Sequence, residues 1–361
     1  MHGFIELILN STLLWIFLQT IWSALISVFY HFCIPWIVWG TIVITFGLKL
    51  ARIPQPSIQI KHEVLGVNLL SPKKDSNISK DHGNGEQFCM RVVAHRGGAY
   101  DCPENSLTAF RNSKDKGCKG VELDLHLTKD DVPIVFHDTT IDRITGKSGI
   151  IKDMTWDQLK ELDITHSHPL KEKFVDGEKI PSFDDVLEVC LKNEQRIIID
   201  VKETRVEVVQ VILDTYRKYP KLFQRGIVSS FNPIIIYMLR RKEPRIVSSL
   251  AWWPYYFSRM SYLAFDGPGP VRFNNLFKHM AVGLFDHVYE WAFHHFVYYL
   301  TGVSVVLLHK DTINPYVVQT WHNRGVRVMA WTVNLPSEKV HFSRHLKITY
   351  LTDTLLHEKD M

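Results

Sequence analysis

Between Val92 and Asp138 this chain places short apolar runs of β type directly against clusters of polar residues. Val92-Val93-Ala94 leads into His95-Arg96-Gly97-Gly98, Glu122 and Asp124 sit within the run Gly120 to Leu125, and Ile134-Val135-Phe136 leads into His137-Asp138. An apolar run too short for a helix reads as a buried strand, and parallel α/β folds hold their reactive groups where such strands end. Two imidazoles and three carboxylates placed in this way call for an architecture in which several strand ends meet.

The alternation continues to the C-terminus. Strands are expected at Val92–Ala94, Val121–Leu125, Ile134–Phe136, Arg196–Val201, Gly226–Ser229, Ile246–Leu250, Val303–Leu308, Val326–Val333 and Ile348–Leu351. Helical patterns fill Ser106–Lys116, Ser182–Lys192, Val206–Tyr219, Pro233–Arg241 and Pro315–Arg324. Repeated βα units over roughly 265 residues match a (β/α)8 TIM barrel, for which about 250 residues is typical. One strand is then surplus to the eight staves. The tetrad Thr128-Lys129-Asp130-Asp131 is a turn-type sequence too short for a parallel crossover, so a hairpin is expected there. A turn centred between Lys129 and Asp130 predicts Glu122 directly opposite His137.

With 361 residues, 46% of them hydrophobic and 22% charged, the chain can bury a large core and is not disordered. Its Lys and Arg are dispersed and the net charge is only +4, which excludes a nucleic-acid footprint. Cys33, Cys89, Cys102, Cys118 and Cys190 form no CxxC pair. Neither a zinc site nor a disulfide scaffold is expected, a single optional bridge aside. No protein partner can be deduced.

From Leu7 to Leu48 there is no Asp, Glu, Lys or Arg, and the run is rich in Leu, Ile, Trp and Phe. A bilayer core needs about 20 such residues. The polar break at His31 and the proline at Pro35 suggest two spans, Ile8 to Tyr30 and Ile34 to Leu48, or one span with an interfacial helix. Residues 1–53 are thus expected to be a membrane anchor, 54–87 a polar linker and 88–361 the globular domain. Lys49, Arg52 and Lys61 favour a cytosolic domain by the positive-inside rule, whereas the sequon Asn77-Ile78-Ser79 favours a luminal one if it is glycosylated. The chain reads as an integral membrane protein of an endomembrane such as the endoplasmic reticulum, or of the plasma membrane.

Residues 251–301 form an insert dense in Trp, Tyr and Phe. Asp286, Glu290 and several His interrupt it, and a crossing here would divide the barrel strands between two sides of the membrane. It reads as a lid or interfacial helix resting on a bilayer, with plain aromatic packing as the alternative.

The motifs HRGG, PEN, ELD, TKDDVPIVFHD, IDVK and WTVN, in this order, resemble the glycerophosphodiester phosphodiesterase family, and the resemblance runs from about Val92 to Asp353. The anchor and the aromatic insert are similar to the membrane-bound type 1 enzymes of animals. The resemblance implies a barrel of phospholipase-C-like phosphodiesterase type, a divalent metal, Mg²⁺ first and Ca²⁺ as the alternative, and hydrolysis of glycerophosphodiesters to glycerol 3-phosphate and an alcohol. Glycerophosphoinositol is the head group it suggests.

The residues suit those roles. A phosphodiester anion repels nucleophiles and expels an alkoxide, so a catalyst must offset charge and move two protons. Glu122 and Asp124, two apart on one strand, face the same way and offer hard oxygen ligands. Asp200 would complete the set, although the family pattern has Glu there and the shorter arm puts direct ligation in doubt. His95 and His137 take the family's acid and base roles, which suit imidazole, and His137 is also a candidate metal ligand. Arg96 and Lys202 are expected to hold the phosphate. Glu104 and Asn105 either cap the first helix or border the site. Ser230 and Phe231 are candidates for the pocket lining, Trp331 for an aromatic wall against the glycerol, and Asn334 for a substrate hydrogen bond or a loop. Two other readings stand beside the leading one. A lysophospholipase D acting on lysophospholipids or glycerophospho-N-acylethanolamines would need a long apolar groove, and a non-catalytic binding protein would need no turnover.

Overall fold

The computed structural model describes residues 2–70, 88–263, 267–356 and 358. Among the described residues there are eleven strands: β1 (Val92–Ala94), β2 (Gly120–Leu127), β3 (Pro133–Val135), β4 (Arg196–Val201), β5 (Gly226–Ser230), β6 (Val247–Trp252), β7 (Tyr262–Leu263), β8 (Gly267–Pro268), β9 (Val305–His309), β10 (Arg327–Trp331) and β11 (Thr349–Thr352). Eight of them, β2, β4, β5, β6, β9, β10, β11 and β1, are linked by parallel pairing, and β1 closes the ring because Ala94 also pairs with Val121 of β2. This is the expected TIM barrel. The surplus strand is β3, antiparallel to the far end of β2.

Alternation along the strands builds two layers. Val93, Ile198, Ile227, Val247, Val305, Leu307, Met329 and Leu351 form the interior cluster. Their neighbours Leu123, Leu125, Ile197, Ile199, Val228 and Leu308 face outward, onto the surrounding helices. Those helices begin where local chemistry dictates. Ser106 caps α4 (Leu107–Asp115) and Ser182 caps α5 (Phe183–Lys192), each hydroxyl accepting a backbone N–H three residues on. In α5 the buried face is Phe183, Val186, Leu187 and Cys190, one stripe of helical period. The five cysteines are free.

Three expectations change. The hairpin pairs Leu125 with Val135 and Leu127 with Pro133, so its centre is Asp130 and not the Lys129–Asp130 bond. Asp131 takes a left-handed φ of 59° and lengthens the turn by one residue. Glu122 is therefore not opposite His137, and β3 ends before His137 is reached.

The supposed linker is folded in its first half. After an N-cap at Ser57, α3 (Ile58–Leu65) buries Val64 and Leu65 in the same cluster as the barrel interior. Ile53 to Met361 form one compact unit. Residues 71–87, with the Asn77 sequon, lie outside the described residues.

The N-terminal unit, Met1–Arg52, contains α1 (His2–Val28) and α2 (Ile34–Ala51), joined by a π-helical turn at Phe29–Cys33. There is no reversal at His31. Pro35 lies in the first turn of α2, where a missing N–H costs little, and Phe4–Ala51 run as one apolar helix with most of its large apolar side chains exposed. This helix is a candidate membrane anchor.

Candidate active site

The register of β2 on β4 sets Glu122 beside Ile198 and Asp124 beside Asp200. All three carboxylates therefore occupy inward positions, Asp124 level with Asp200 and Glu122 two residues before Asp124 on the same strand. Their ligand oxygens lie within 4.8 Å of one another, so Asp200 reaches the cluster despite its shorter arm. His137 does not belong to this cluster. Burial, then the charges of Asp124 and Asp200, pushes the Glu122 carboxyl up to about 8. Burial also works against ionised Asp124, but Lys202, His137 and Arg96 outweigh it and hold that group well below the usual carboxylate range. Lys202 Nζ is 2.5 Å from Asp200 and 3.2 Å from Asp124, and Oδ1 of Asp200 is buried without a hydrogen-bond donor. Three crowded acids with an unsatisfied inward oxygen fit a hard divalent cation.

His95, Arg96 and Gly97 form a tight 3₁₀ turn at the end of β1. Arg96 has φ of 52°, and its backbone N–H donates to Glu122 Oε2 at 2.8 Å. The His95 ring has Nδ1 2.6 Å from Asp353 Oδ1 and Nε2 3.9 Å from Glu122. Burial alone would lower its pKa, but Asp353 and Glu122 raise it above the ordinary value. Asn334 donates to Asp353 at 2.8 Å and accepts the Asp353 backbone N–H at 2.9 Å, so this residue serves the loop.

His137 is held in the same manner, with Nδ1 2.6 Å from Asp138 Oδ1. Its pKa is lowered, by burial first and then by Lys202 and Arg96 against the pull of Asp124. Arg143 donates to Asp138 Oδ2 at 2.7 Å and to both oxygens of Glu104 at 2.6 and 2.9 Å. Glu104 also accepts from Arg96 at 3.1 Å. Asn105 donates to Asp124 at 2.8 Å. Since Ser106 is the cap of α4, Glu104 and Asn105 border the cluster instead.

An aromatic wall stands beside Lys202, whose ammonium lies 5.6 Å from the Phe231 ring centre. Phe231 stacks on Tyr256 at 5.2 Å and meets the edge of Trp331 at 6.0 Å. Ser230 is engaged elsewhere, donating to Val201 O. Tyr256 also lines an open groove of about 450 Å³ in the insert, with Phe257, Phe273, Val282 and Phe285. Asp353, Arg143 and Tyr256 have no counterpart among the expected site residues. For Asp353 there was a signal, because it directly follows the last strand.

The family model described as the glycerophosphoryl diester phosphodiesterase family matches residues 95–354. Glycerophosphodiester phosphodiesterase 1 of Bos taurus is 36% identical over 269 residues, 74% of this chain and 79% of that protein. The protein of that name from Homo sapiens is 34% identical over the same shares. Among solved structures, an Oleispira antarctica phosphodiesterase in complex with the product sn-glycerol-3-phosphate superposes with a TM-score of 0.56 at 20% identity, covering 75% of this chain and 95% of that one.

Proposed function

The chain belongs to the glycerophosphoryl diester phosphodiesterase family, and from that premise we propose a membrane-anchored, metal-dependent enzyme that hydrolyses glycerophosphoinositol to sn-glycerol 3-phosphate and inositol. Glycerophosphodiester hydrolysis itself follows from the family and the named relatives. The observation that carries the site assignment is the pair of histidines, each with Nδ1 2.6 Å from an aspartate, beside three clustered carboxylates. With Nδ1 engaged, Nε2 of each ring is the atom left to exchange protons with substrate.

Glu122, Asp124 and Asp200 would hold the cation, Mg²⁺ first and Ca²⁺ second. When bound, such an ion supplies positive charge against the phosphoryl oxygens. Arg96 and Lys202 add donors to the same oxygens, and Trp331 and Phe231 face the glycerol carbons. An oxygen of water, or of the substrate's neighbouring hydroxyl, attacks phosphorus and gives its proton to one imidazole. The bond from phosphorus to the alcohol oxygen breaks, and the other imidazole protonates the departing alkoxide; where the hydroxyl is the attacker this leaves a cyclic phosphate, which a water then opens to glycerol 3-phosphate with the two imidazoles in exchanged roles.

In this reading α1 and α2 anchor the chain in an endomembrane or the plasma membrane. The exposed row Leu276, Phe277, Met280, Leu284, Val288 and Trp291 of α6 (Leu276–Ala292) rests on lipid.

A second substrate class, lysophospholipids or glycerophospho-N-acylethanolamines, is favoured by the groove that shares Tyr256 with the aromatic wall. The binding-protein reading is set aside, because every motif position carries a side chain competent for the chemistry. The test is release of glycerol 3-phosphate or lysophosphatidate by the full chain from a panel of glycerophosphoinositol, glycerophosphocholine and lysophospholipids, with and without Mg²⁺. Turnover that needs metal and is lost in Glu122→Ala supports the site, and the best substrate decides between the two classes. A folded chain inert toward the whole panel refutes the assignment.

A further inference from the structure

We infer that Arg143 is a positioning residue that splints the two sides of the active site together, an inference that rests on the phosphodiesterase reading above. Its guanidinium makes three directed bonds to two carboxylates, and each carboxylate holds a residue of the site. Through Glu104, which it grips at both oxygens, it reaches Arg96; through Asp138 it reaches His137. The result is an unbroken chain Arg96, Glu104, Arg143, Asp138, His137. The loop after β1 and the loop after β3 meet in it.

An exposed ion pair contributes little because two long side chains must be ordered in water. The Arg143 contacts differ in geometry. The Glu104 side chain is only 11% exposed and Asp138 24%, and planar bidentate pairing fixes orientation as well as charge. Oδ1 of Asp138 engages His137 Nδ1, so the plane of Asp138 sets the tilt of the imidazole. Arg143 holds that plane through Oδ2. It likewise keeps Glu104 where Arg96 Nη1 meets it. Without Arg143 the two carboxylates lose their common counter-charge, and His137 and Arg96 lose their fixed orientation together.

The Arg143 side chain is 45% exposed, which permits a test that a purely structural role would not pass. In the full-length chain, with wild-type turnover and its loss in Glu122→Ala established first, Arg143→Ala should lower kcat for glycerophosphoinositol about 10- to 100-fold and also raise KM. Free guanidinium ion should restore part of that rate by occupying the vacated slot. The loss should shrink when Asp138→Asn and Glu104→Gln are already present, since nothing is left to bridge. Arg143→Lys, with the charge but not the fork, should fall between wild type and Ala, and it carries the test if the Ala variant fails to fold. Wild-type kcat and KM in Arg143→Ala, or in Arg143→Lys where that variant carries the test, overturn the inference. So does a loss that guanidinium does not relieve and that adds in full to those of the two carboxylate variants. Absence of turnover in the wild-type chain would instead refute the phosphodiesterase reading, and this inference with it.

Discussion

Nδ1 of His95 lies 2.6 Å from Oδ1 of Asp353, two residues 258 positions apart in the chain. Barrel closure brings them together, because β1 and β11 are paired neighbours. Asp353 is fixed in turn by Asn334, which bonds both its side chain and its backbone. Asp353→Asn keeps the shape but removes the charge that fixes the ring's tautomer. The expected result is a fall in kcat of about 10- to 100-fold with little change in melting temperature. Asn334→Ala should reproduce a smaller part of it, and a wild-type kcat in Asp353→Asn would separate Asp353 from His95 function.

The three-acid cluster predicts that metal and fold are linked. A cation that binds only the native cluster stabilises the protein by mass action, so Mg²⁺ should raise the melting temperature of the detergent-solubilised chain and EDTA should abolish turnover. Asp200→Asn should weaken both effects and Asp124→Asn should remove them. A melting temperature indifferent to Mg²⁺ and Ca²⁺ in the wild type would contradict the assignment of Glu122, Asp124 and Asp200.

Gly97 has φ of +80°, and a Cβ there would lie 2.7 Å from the Cβ of Ala109 in α4. The left-handed backbone and the collision both oppose any side chain. Gly97→Ala is expected to cost about 1 to 3 kcal/mol and to shift His95 and Arg96, lowering activity more than stability alone explains. Chemical denaturation and turnover on the same preparation check this, and unchanged values for both would refute it.

Acid should destabilise the barrel through two histidines outside the cluster, buried His309 and half-buried His294. Burial, then Lys310, pushes His309 down to about 4. Burial, then Arg324, does the same for His294, also to about 4. In the unfolded chain both return to about 6.5. Between those values the unfolded state binds more protons, so this stabilisation is complete above pH 6.5 and is lost as pH falls toward 4. The loss is on the order of 3 kcal/mol for His309 and less for half-buried His294. Urea midpoints of the full chain should drop through that window, with His309→Asn flattening the slope by about one proton. A midpoint independent of pH there would contradict the account.

The barrel was legible because its signal is local. Each stave is an apolar run, and the polar residues that end the runs mark the mouth. The eight staves and the hairpin strand all appear where the runs predict them. The hairpin register was not legible, since it depends on Asp131 adopting a left-handed backbone, a choice that turn composition does not specify. Similarly, Val64 and Leu65 lie in a short segment of mixed polarity next to a polar stretch, and only their packing against the barrel interior explains why they are buried. Pro35 read as a break because a proline inside a helix is costly, whereas the π turn before it lets the proline fall in a first turn. In the site, Glu122, Asp124 and Asp200 follow from strand parity. Asp353 acts through His95, 258 positions away, and Arg143 joins nearby Asp138 to Glu104, 39 positions away, so strand parity does not reach either of them.

The most direct measurement is ³¹P NMR of glycerophosphoinositol incubated with the full-length chain and Mg²⁺ in ¹⁸O-labelled water. The account predicts that the diester resonance is replaced by that of sn-glycerol 3-phosphate, with ¹⁸O on its phosphate, and that neither EDTA-treated wild type nor Glu122→Ala shows the change. A persistent diester, or phosphate appearing on the inositol product instead, would contradict it.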